Sequence, residues 1–80
     1  MDVGMIALGS GLGAGLAIVG GAGGIGKLAA AAMEGMARQP DAANDIKGGM
    51  IITAAFIEGV TLFAVVVCLM LALNTATPAA

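Results

Sequence analysis

Two long apolar runs divide this chain, and a short polar stretch separates them. Residues 3–26 carry no charged side chain, and the apolar character continues past Lys27 and Glu34. Residues 50–73 form the second run, which only Glu58 interrupts. As helices rising 1.5 Å per residue, runs of about 24 residues extend about 36 Å, enough to cross a hydrocarbon core about 30 Å thick. The pattern therefore predicts two membrane-spanning helices.

The polar stretch ARQPDAANDIK, residues 37–47, supplies the turn between the two helices. Pro40 is disfavoured inside a helix because it has no backbone N–H. Asn44 and Asp45 are residue types that favour turns and helix N-caps. We therefore predict an all-α membrane hairpin in a single domain. Its expected parts are a first helix at about 3–36, a loop at 37–47, a second helix at 48–73 and a polar tail at 74–80.

The composition supports a membrane protein and argues against a small soluble domain, a nucleic-acid-binding protein and an enzyme that acts alone. Of the 80 residues, 60% are hydrophobic and only 10% are charged, and the mean hydropathy is +1.08. A soluble domain this small needs a polar surface and usually a covalent staple, but Cys68 has no second cysteine to pair with. There is no histidine, no basic stripe for nucleic acid and no nucleophile beside a base, so we expect no catalysis by this chain alone. The Met-Asp start lacks the basic region of a cleaved signal peptide.

The positive charges predict an orientation. Arg38 and Lys47 flank the loop, and neither end of the chain carries a lysine or arginine. Because positively charged loops stay in the cytoplasm, we expect the loop inside and both termini outside.

Glycines dominate the first run, with nine of the 14 between positions 9 and 26. Glycines four apart allow close helix contact in membranes, and a step of two residues turns about 200° around a helix. Alternate glycines therefore lie on opposite faces, which favours a closed ring of copies. A tight contact with the second helix of the same chain is a compatible alternative. The residues expected to pack in this way are Gly9, Gly11, Gly13, Gly15, Gly20, Gly24 and Gly26.

Two sequence patterns in this region resemble nucleotide-binding motifs but lack the preceding strand that such motifs require. GAGGIG, residues 21–26, matches the dinucleotide fingerprint, and the segment also fits the P-loop until Leu28 replaces the Ser or Thr that binds magnesium. No strand pattern precedes either motif. We therefore expect no bound nucleotide.

Glu58 is the strongest candidate for function. A charged side chain at the centre of a membrane costs about 2.5–3.5 kcal/mol and is usually functional. Desolvation favours the neutral carboxyl, so Glu58 can carry a proton through lipid and release it where water is available. The alternative is a neutral acid that merely hydrogen-bonds a neighbouring helix. Thr61 either supports this site or bonds back to its own helix, and Gly59 makes room beside the acid. For Lys27 we expect a stabilising or interfacial role.

Taken together, GGAGGIGKLAAAAMEGMARQPDA and the later FIEGVTLF resemble the c-subunit of the F-type ATP synthase, and the resemblance covers nearly the whole chain. It implies a ring of identical copies in membrane lipid, with first helices inside and second helices outside. The ring would turn against the a-subunit of the stator, which supplies an arginine and two half-channels to Glu58. The loop at Arg38, Gln39 and Pro40 would contact the gamma and epsilon subunits of the central stalk. No cofactor is implied, since the proton is cargo, and a bacterial plasma membrane is expected.

The same resemblance also indicates whether the ring carries protons or sodium ions. Sodium-binding members place Gln or Glu one position after a motif glycine, which corresponds here to Ile25 after Gly24, and Ser or Thr after the acid, where this chain has Gly59. Two expected oxygen ligands are therefore missing, and we predict protons. A sodium-driven version of the same ring remains the alternative, because Thr61 offers one oxygen.

Two other classes of protein fit the sequence less well. A small proton-coupled transporter normally has four spans and aromatic residues to hold a cation, whereas this chain has two spans and two Phe. A stand-alone membrane hairpin that oligomerises into a pore would leave Glu58 and the loop without a role.

Overall fold

Two antiparallel helices joined by a tight turn make up the described part of the chain. The computed structural model describes residues 2–76, and of residues 75 and 76 only the backbone. Helix α1 is Val3–Arg38, with 36 residues, and helix α2 is Ala43–Ala76, with 34. The hairpin is a rod of 63 × 15 × 12 Å. The prediction of an all-α helical hairpin is confirmed.

Helix α1 begins and ends at recognisable caps. The carboxylate of Asp2 accepts a hydrogen bond from the backbone N–H of Met5 at 2.7 Å, which satisfies one of the free donors of the first turn. At the other end, Gln39 has φ −131° and ψ 75°, because a residue before proline is driven out of the helical region. Its N–H donates to the carbonyl oxygen of Gly35 at 2.9 Å and closes the last turn.

The connection between the helices is shorter than predicted. One turn of 3-10 helix, Pro40–Ala42, reverses the chain, and α2 starts at Ala43. Most of the expected loop, residues 37–47, is therefore helical. Polar side chains need exposure to water but do not oppose a helix, and Asp45 in the first turn of α2 interacts favourably with the helix dipole.

The predicted polar tail, residues 74–80, also begins as helix, since α2 extends to Ala76. Residues 77–80 of that prediction lie outside the described residues.

Small residues of α1 let the two helices approach closely. Four glycines of α1 face α2, each against one side chain: Gly13 against Cys68, Gly21 against Thr61, Gly24 against Ile57, and Gly35 against Ile46. The residue numbers of each pair add to 81 or 82, so one register holds along the whole hairpin. This register places the level of every α2 residue on α1.

The hairpin has almost no interior of its own. Among the described residues, only Ser10, Gly21 and Ala32 are buried, and all three belong to α1. Large apolar side chains are exposed on α2, including Phe56 at 72% and Phe63 at 73%. Both helices are long and apolar enough to span a membrane. Such extensive exposed apolar surface must be covered by lipid or by other copies of the chain.

Candidate ion-carrying site

Glu58 lies on one flank of the hairpin, beside the contact between the helices. Its neighbour Ile57 packs against Gly24, and one residue further along α2 the side chain turns about 100° away from that contact. Glu58 is exposed in the single hairpin. We call this side of the hairpin the Glu58 flank, and its α1 surface is formed by Ala22, Ile25 and Gly26.

Two shallow grooves run along the Glu58 flank and meet at Glu58. The groove on the loop side is lined by Glu58 with Ile25, Leu28, Ala29, Met50, Ile51, Ala54 and Ala55. The groove on the other side is lined by Glu58 with Ile18, Gly21, Ala22, Ile25, Gly26 and Thr61. The carboxyl group therefore lies between two apolar surfaces, each open to a neighbouring molecule.

The linings offer Glu58 very little polar support. Besides Glu58 itself, the only side-chain oxygen in either groove is the hydroxyl of Thr61. That hydroxyl donates to the carbonyl oxygen of Ile57 in its own helix, at 2.8 Å. Of the two interpretations of Thr61, this geometry corresponds to back-bonding rather than to a hydrogen bond with the acid. No side chain in residues 2–74 donates a hydrogen bond to Glu58.

The other predicted support residues have different positions. Ile25 lines both grooves with Glu58, so the structure brings these two residues together. Gly24 faces Ile57 and belongs to the contact between the helices. Gly59 lines a separate notch on the outer side of α2, with Ala55, Phe56, Val60 and Phe63, and open space surrounds its Cα.

Gly21 is a site residue that sequence reasoning did not select. A Cβ added there would lie 2.8 Å from Cγ2 and 3.0 Å from Cβ of Thr61, closer than carbon atoms normally approach. Gly21 therefore sets how closely the helices meet beside Glu58. The signal was present in the spacing, since Gly21, Gly24 and Gly35 recur at intervals that return to one helix face.

The predicted ring-packing glycines divide into two groups. Gly13 and Gly24 contact α2 of the same chain, because their positions fall on the stripe that faces it. For these two, the contact within the hairpin, which is compatible with ring packing, is present, and their contact with neighbouring copies stays a prediction. The remaining five have open space where a Cβ would stand: Gly9, Gly11, Gly15, Gly20 and Gly26.

The loop forms an exposed tip at one end of the rod. A nitrogen of the Arg38 guanidinium lies 2.7 Å from a carboxylate oxygen of Glu34, one turn earlier in α1. Gln39 and Pro40 are exposed. Because α2 starts seven residues before the apolar run, the tip extends about 10 Å beyond that run.

A comparison with protein families decides the identity of this hairpin. A family model that describes the c-subunit of ATP synthase matches residues 8–71, which include both helices, the turn and Glu58. The chain belongs to the ATP synthase c-subunit family. Members of this family are components of the rotor ring, so the chain is a membrane protein that forms a ring of copies within ATP synthase.

Individual relatives agree with the family match. The chain is 59% identical to the ATP synthase c-subunit of Bacteroides thetaiotaomicron over 68 residues, covering 85% of this chain and 80% of the relative. It is 56% identical to the c-subunit of Phocaeicola vulgatus over 63 residues, covering 79% and 75%. The c-subunit of a Synechococcus species is 45% identical over 71 residues, covering 89% and 74%. No solved structure gives a significant match.

Proposed function

We propose that the chain is the proton-carrying, non-catalytic component of the rotor ring, and that Glu58 is the carrier. The observation behind this proposal is the isolation of one acid. Glu58 is the only charged residue of the apolar run 50–73, and both grooves beside it are apolar apart from one hydroxyl that is already engaged. An ionisable side chain inside an apolar membrane span is costly and is usually kept for a function.

The shapes of the two helices support a ring with α1 inside and α2 outside. Open glycines occur on the Glu58 flank of α1, where Gly26 lies, and on the opposite flank, where Gly20 lies. Small residues on both flanks suit the inner circle, whose shorter circumference brings neighbouring helices closer together. The outward surface of α2 instead carries bulky Phe56 and Phe63, which suit contact with lipid.

In such a ring, the Glu58 flank of one copy faces the next copy. Glu58 then lies between two hairpins and close to the outer surface, where Gly59 leaves a notch. The a-subunit of the stator reaches the acid from outside with its arginine and two half-channels. Glu58 gains a proton in one half-channel, travels past lipid as a neutral acid, and loses the proton in the other.

The donor set beside Glu58 favours protons over sodium. A hard cation such as sodium needs several oxygen ligands, whereas Ile25 and Gly59, at the two positions where sodium-binding members carry oxygens, have none. A proton needs only the carboxyl group and a hydrogen-bond acceptor.

Torque leaves the ring through the loop tip. Arg38, Gln39 and Pro40 are exposed about 10 Å beyond the apolar run, within reach of the gamma and epsilon subunits of the central stalk. The two basic residues that flank the loop, Arg38 and Lys47, favour a cytoplasmic tip and outward termini. The relatives in Bacteroides and Phocaeicola support a bacterial plasma membrane.

Labelling by a hydrophobic carbodiimide tests this assignment. The reagent reacts with a protonated carboxyl group in an apolar environment, so modification of the intact complex should fall on Glu58 and decline as the pH rises. Exposed Glu34, paired with Arg38, is the internal control and should remain unmodified. Mass spectrometry of the labelled chain locates the adduct. Labelling of Glu34 with Glu58 untouched would contradict the proposal, and protection of Glu58 by sodium would favour the sodium-driven alternative.

A further inference from the structure

Lys27 is a charged residue that the carrier mechanism leaves without a role. Its side chain is exposed in the hairpin. Among residues 2–74, the ion pair that the structure forms joins Glu34 to Arg38, so the Lys27 ammonium has no carboxylate partner within that part of the chain. Charged side chains within membrane spans usually pair with one another. A partner for Lys27 is therefore expected outside the single hairpin.

The helix register shows that Lys27 lies at membrane depth, close to the level of Glu58. The facing residues of the two helices have numbers that add to 81 or 82, so Glu58 is level with residues 23–24 of α1. Lys27 is about 5 Å further towards the loop. By the same register, its own level on α2 is at residues 54–55, inside the apolar run 50–73.

The side chains of Lys27 and Glu58 lean towards each other along the hairpin axis. In a helix, each Cα–Cβ bond tilts towards the N-terminus of that helix. The N-terminus of α1 is remote from the loop, whereas α2 begins at the loop. Lys27, with its flexible four-carbon stem, therefore leans towards the level of Glu58, and Glu58 leans towards the level of Lys27. The axial separation of their charged groups is smaller than that of their backbones.

Within one hairpin, Lys27 and Glu58 lie on opposite flanks. Lys27 follows Gly20 by seven residues, which is two helical turns, so these two residues share one flank of α1. Gly20 lines a groove with Phe56 and Val60 on the side of the hairpin away from Glu58. We call this side the Lys27 flank. Each hairpin thus carries a cation on one flank and an acid on the other.

The ring described under the proposed function, on which this inference rests, brings the two flanks together. In a closed ring of identical copies the contacts run head to tail, so the Glu58 flank of each copy meets the Lys27 flank of the next. The groove on the loop side of Glu58 is lined by α1 from Ile25 to Ala29 and therefore spans the level of Lys27. This groove is open towards the next copy and ends at the acid.

We propose that Lys27 of each copy pairs with Glu58 of the adjacent copy, and that the pair shares the transported proton. The carboxyl group thereby gains the hydrogen-bond partner that its own chain does not supply. With one proton between them the two groups have no net charge, either as acid and amine or as carboxylate and ammonium. The pair gains this proton in one half-channel and loses it in the other, where a carboxylate and an amine remain. The neutrality that passage through lipid requires is then a property of the pair.

Carbodiimide chemistry tests the pairing in wild-type rings. The reagent activates a carboxyl group, and an adjacent amine displaces the resulting urea and forms an amide bond, with net loss of one water from the two chains. Treatment of intact rings should therefore link Glu58 to Lys27 of a neighbouring copy. Denaturing electrophoresis should show linked pairs of chains, and mass spectrometry should locate the bond. Lys27→Arg rings, which lack the amine, should give no link, whereas the matched control Lys47→Arg should give the wild-type yield.

Three results would overturn the pairing. They are modification of Glu58 without any bond to Lys27, a bond formed within a single chain, and a link to Lys47 in place of Lys27. If the reagent leaves Glu58 unmodified, an image of the wild-type ring decides. A Lys27 nitrogen within about 4 Å of a Glu58 oxygen of the adjacent copy supports the pairing, and a longer distance contradicts it.

ATP synthesis tests whether the pair shares the proton. Arginine does not release its proton, so a pair with Lys27→Arg is already uncharged when Glu58 is a carboxylate. We expect Lys27→Arg complexes with intact rings to lose proton-driven synthesis by more than about tenfold. Lys27→Met should lower synthesis by only about threefold, because Glu58 loses its partner and is still able to cross lipid as an acid. A purely structural role for the positive charge predicts the reverse order, which would overturn the sharing. Where a variant forms no ring, the link in wild-type rings decides.

The pairing and the carrier assignment can fail separately. If the link is absent and Glu58→Gln complexes make no ATP, only the pairing is contradicted. If assembled Glu58→Gln complexes still make ATP while wild-type rings form the link, the carrier assignment and the sharing of its proton are contradicted, and the contact between Lys27 and Glu58 stands.

Discussion

Among the glycines of α1, Gly21 leaves the least room against α2, where it faces Thr61 at the level next to Glu58. A Cβ on Gly21 would stand 2.8 Å from Cγ2 of Thr61, and the Thr61 hydroxyl donates to the Ile57 carbonyl within its own helix. The acid therefore projects from a stretch of α2 that is held tightly against α1.

Replacing Gly21 by Ala should separate the helices at this level. Overpacking of a close contact commonly costs about 1–3 kcal/mol. We expect rings of Gly21→Ala to dissociate at a lower temperature in detergent and to show weaker proton-coupled ATP synthesis. The matched control is Gly23→Ala, at a position with open space, which should leave both properties unchanged. A Cβ on Gly21 would meet both Oγ1 and Cγ2 of Thr61, so adding Thr61→Ala, which removes both atoms, to Gly21→Ala should restore part of the stability. Equal effects of the two alanine variants would contradict the account.

The hydroxyl of Thr61 should be nearly dispensable for transport. Because it is engaged with Ile57, Thr61→Val keeps the packing volume and removes only a back-bonded donor. The rate of ATP synthesis in reconstituted complexes should stay within about threefold of wild type, equivalent to about 0.7 kcal/mol. Loss of synthesis in a variant whose rings remain intact would show that the hydroxyl serves Glu58 directly.

Ion choice should change when oxygen ligands are added beside Glu58. Ile25→Gln places a carboxamide in a position that lines both grooves, and Gly59→Ser adds a hydroxyl next to the acid. In wild-type rings, sodium should not slow carbodiimide labelling of Glu58, whereas in the double variant it should. Sodium protection of the wild type would refute the proposed preference for protons.

At the loop tip, stability and coupling should respond to different substitutions. The Glu34–Arg38 pair is exposed, at 64% and 75% for its side chains, so breaking it with Glu34→Gln should cost no more than about 0.5 kcal/mol. Arg38→Ala should leave rings intact and yet uncouple ATP hydrolysis from proton pumping, because it removes the proposed stalk contact. Full coupling in Arg38→Ala complexes would exclude that contact.

The sequence sufficed for the two spans, the reversal at Pro40 and the isolation of Glu58, because each depends on local composition. It did not predict that α2 starts at Ala43, since polarity reports exposure to water and does not by itself oppose a helix. The sequence also did not predict the register between the two helices. Glycines at so many positions permit several alignments, and packing of larger side chains such as Ile57 and Thr61 selects one of them.

The sequence also did not show which glycines of α1 contact α2 and which remain open to a neighbouring copy. Alternation predicted small residues on opposite faces of α1, but only the position of α2 reveals that Gly13 and Gly24 are used within the hairpin. Gly9 and Gly20, by contrast, are open to a neighbour. The contacts between copies remain a prediction that an image of the ring tests.

The most direct test of the central claim is ATP synthesis by the whole complex in liposomes, driven by a pH difference at equal sodium on both sides. The wild-type complex should synthesise ATP, and a sodium gradient alone should not support synthesis. The Glu58→Gln complex, with its ring assembled, should make none. Sustained synthesis by Glu58→Gln under the same pH difference would contradict the assignment of Glu58 as the proton carrier.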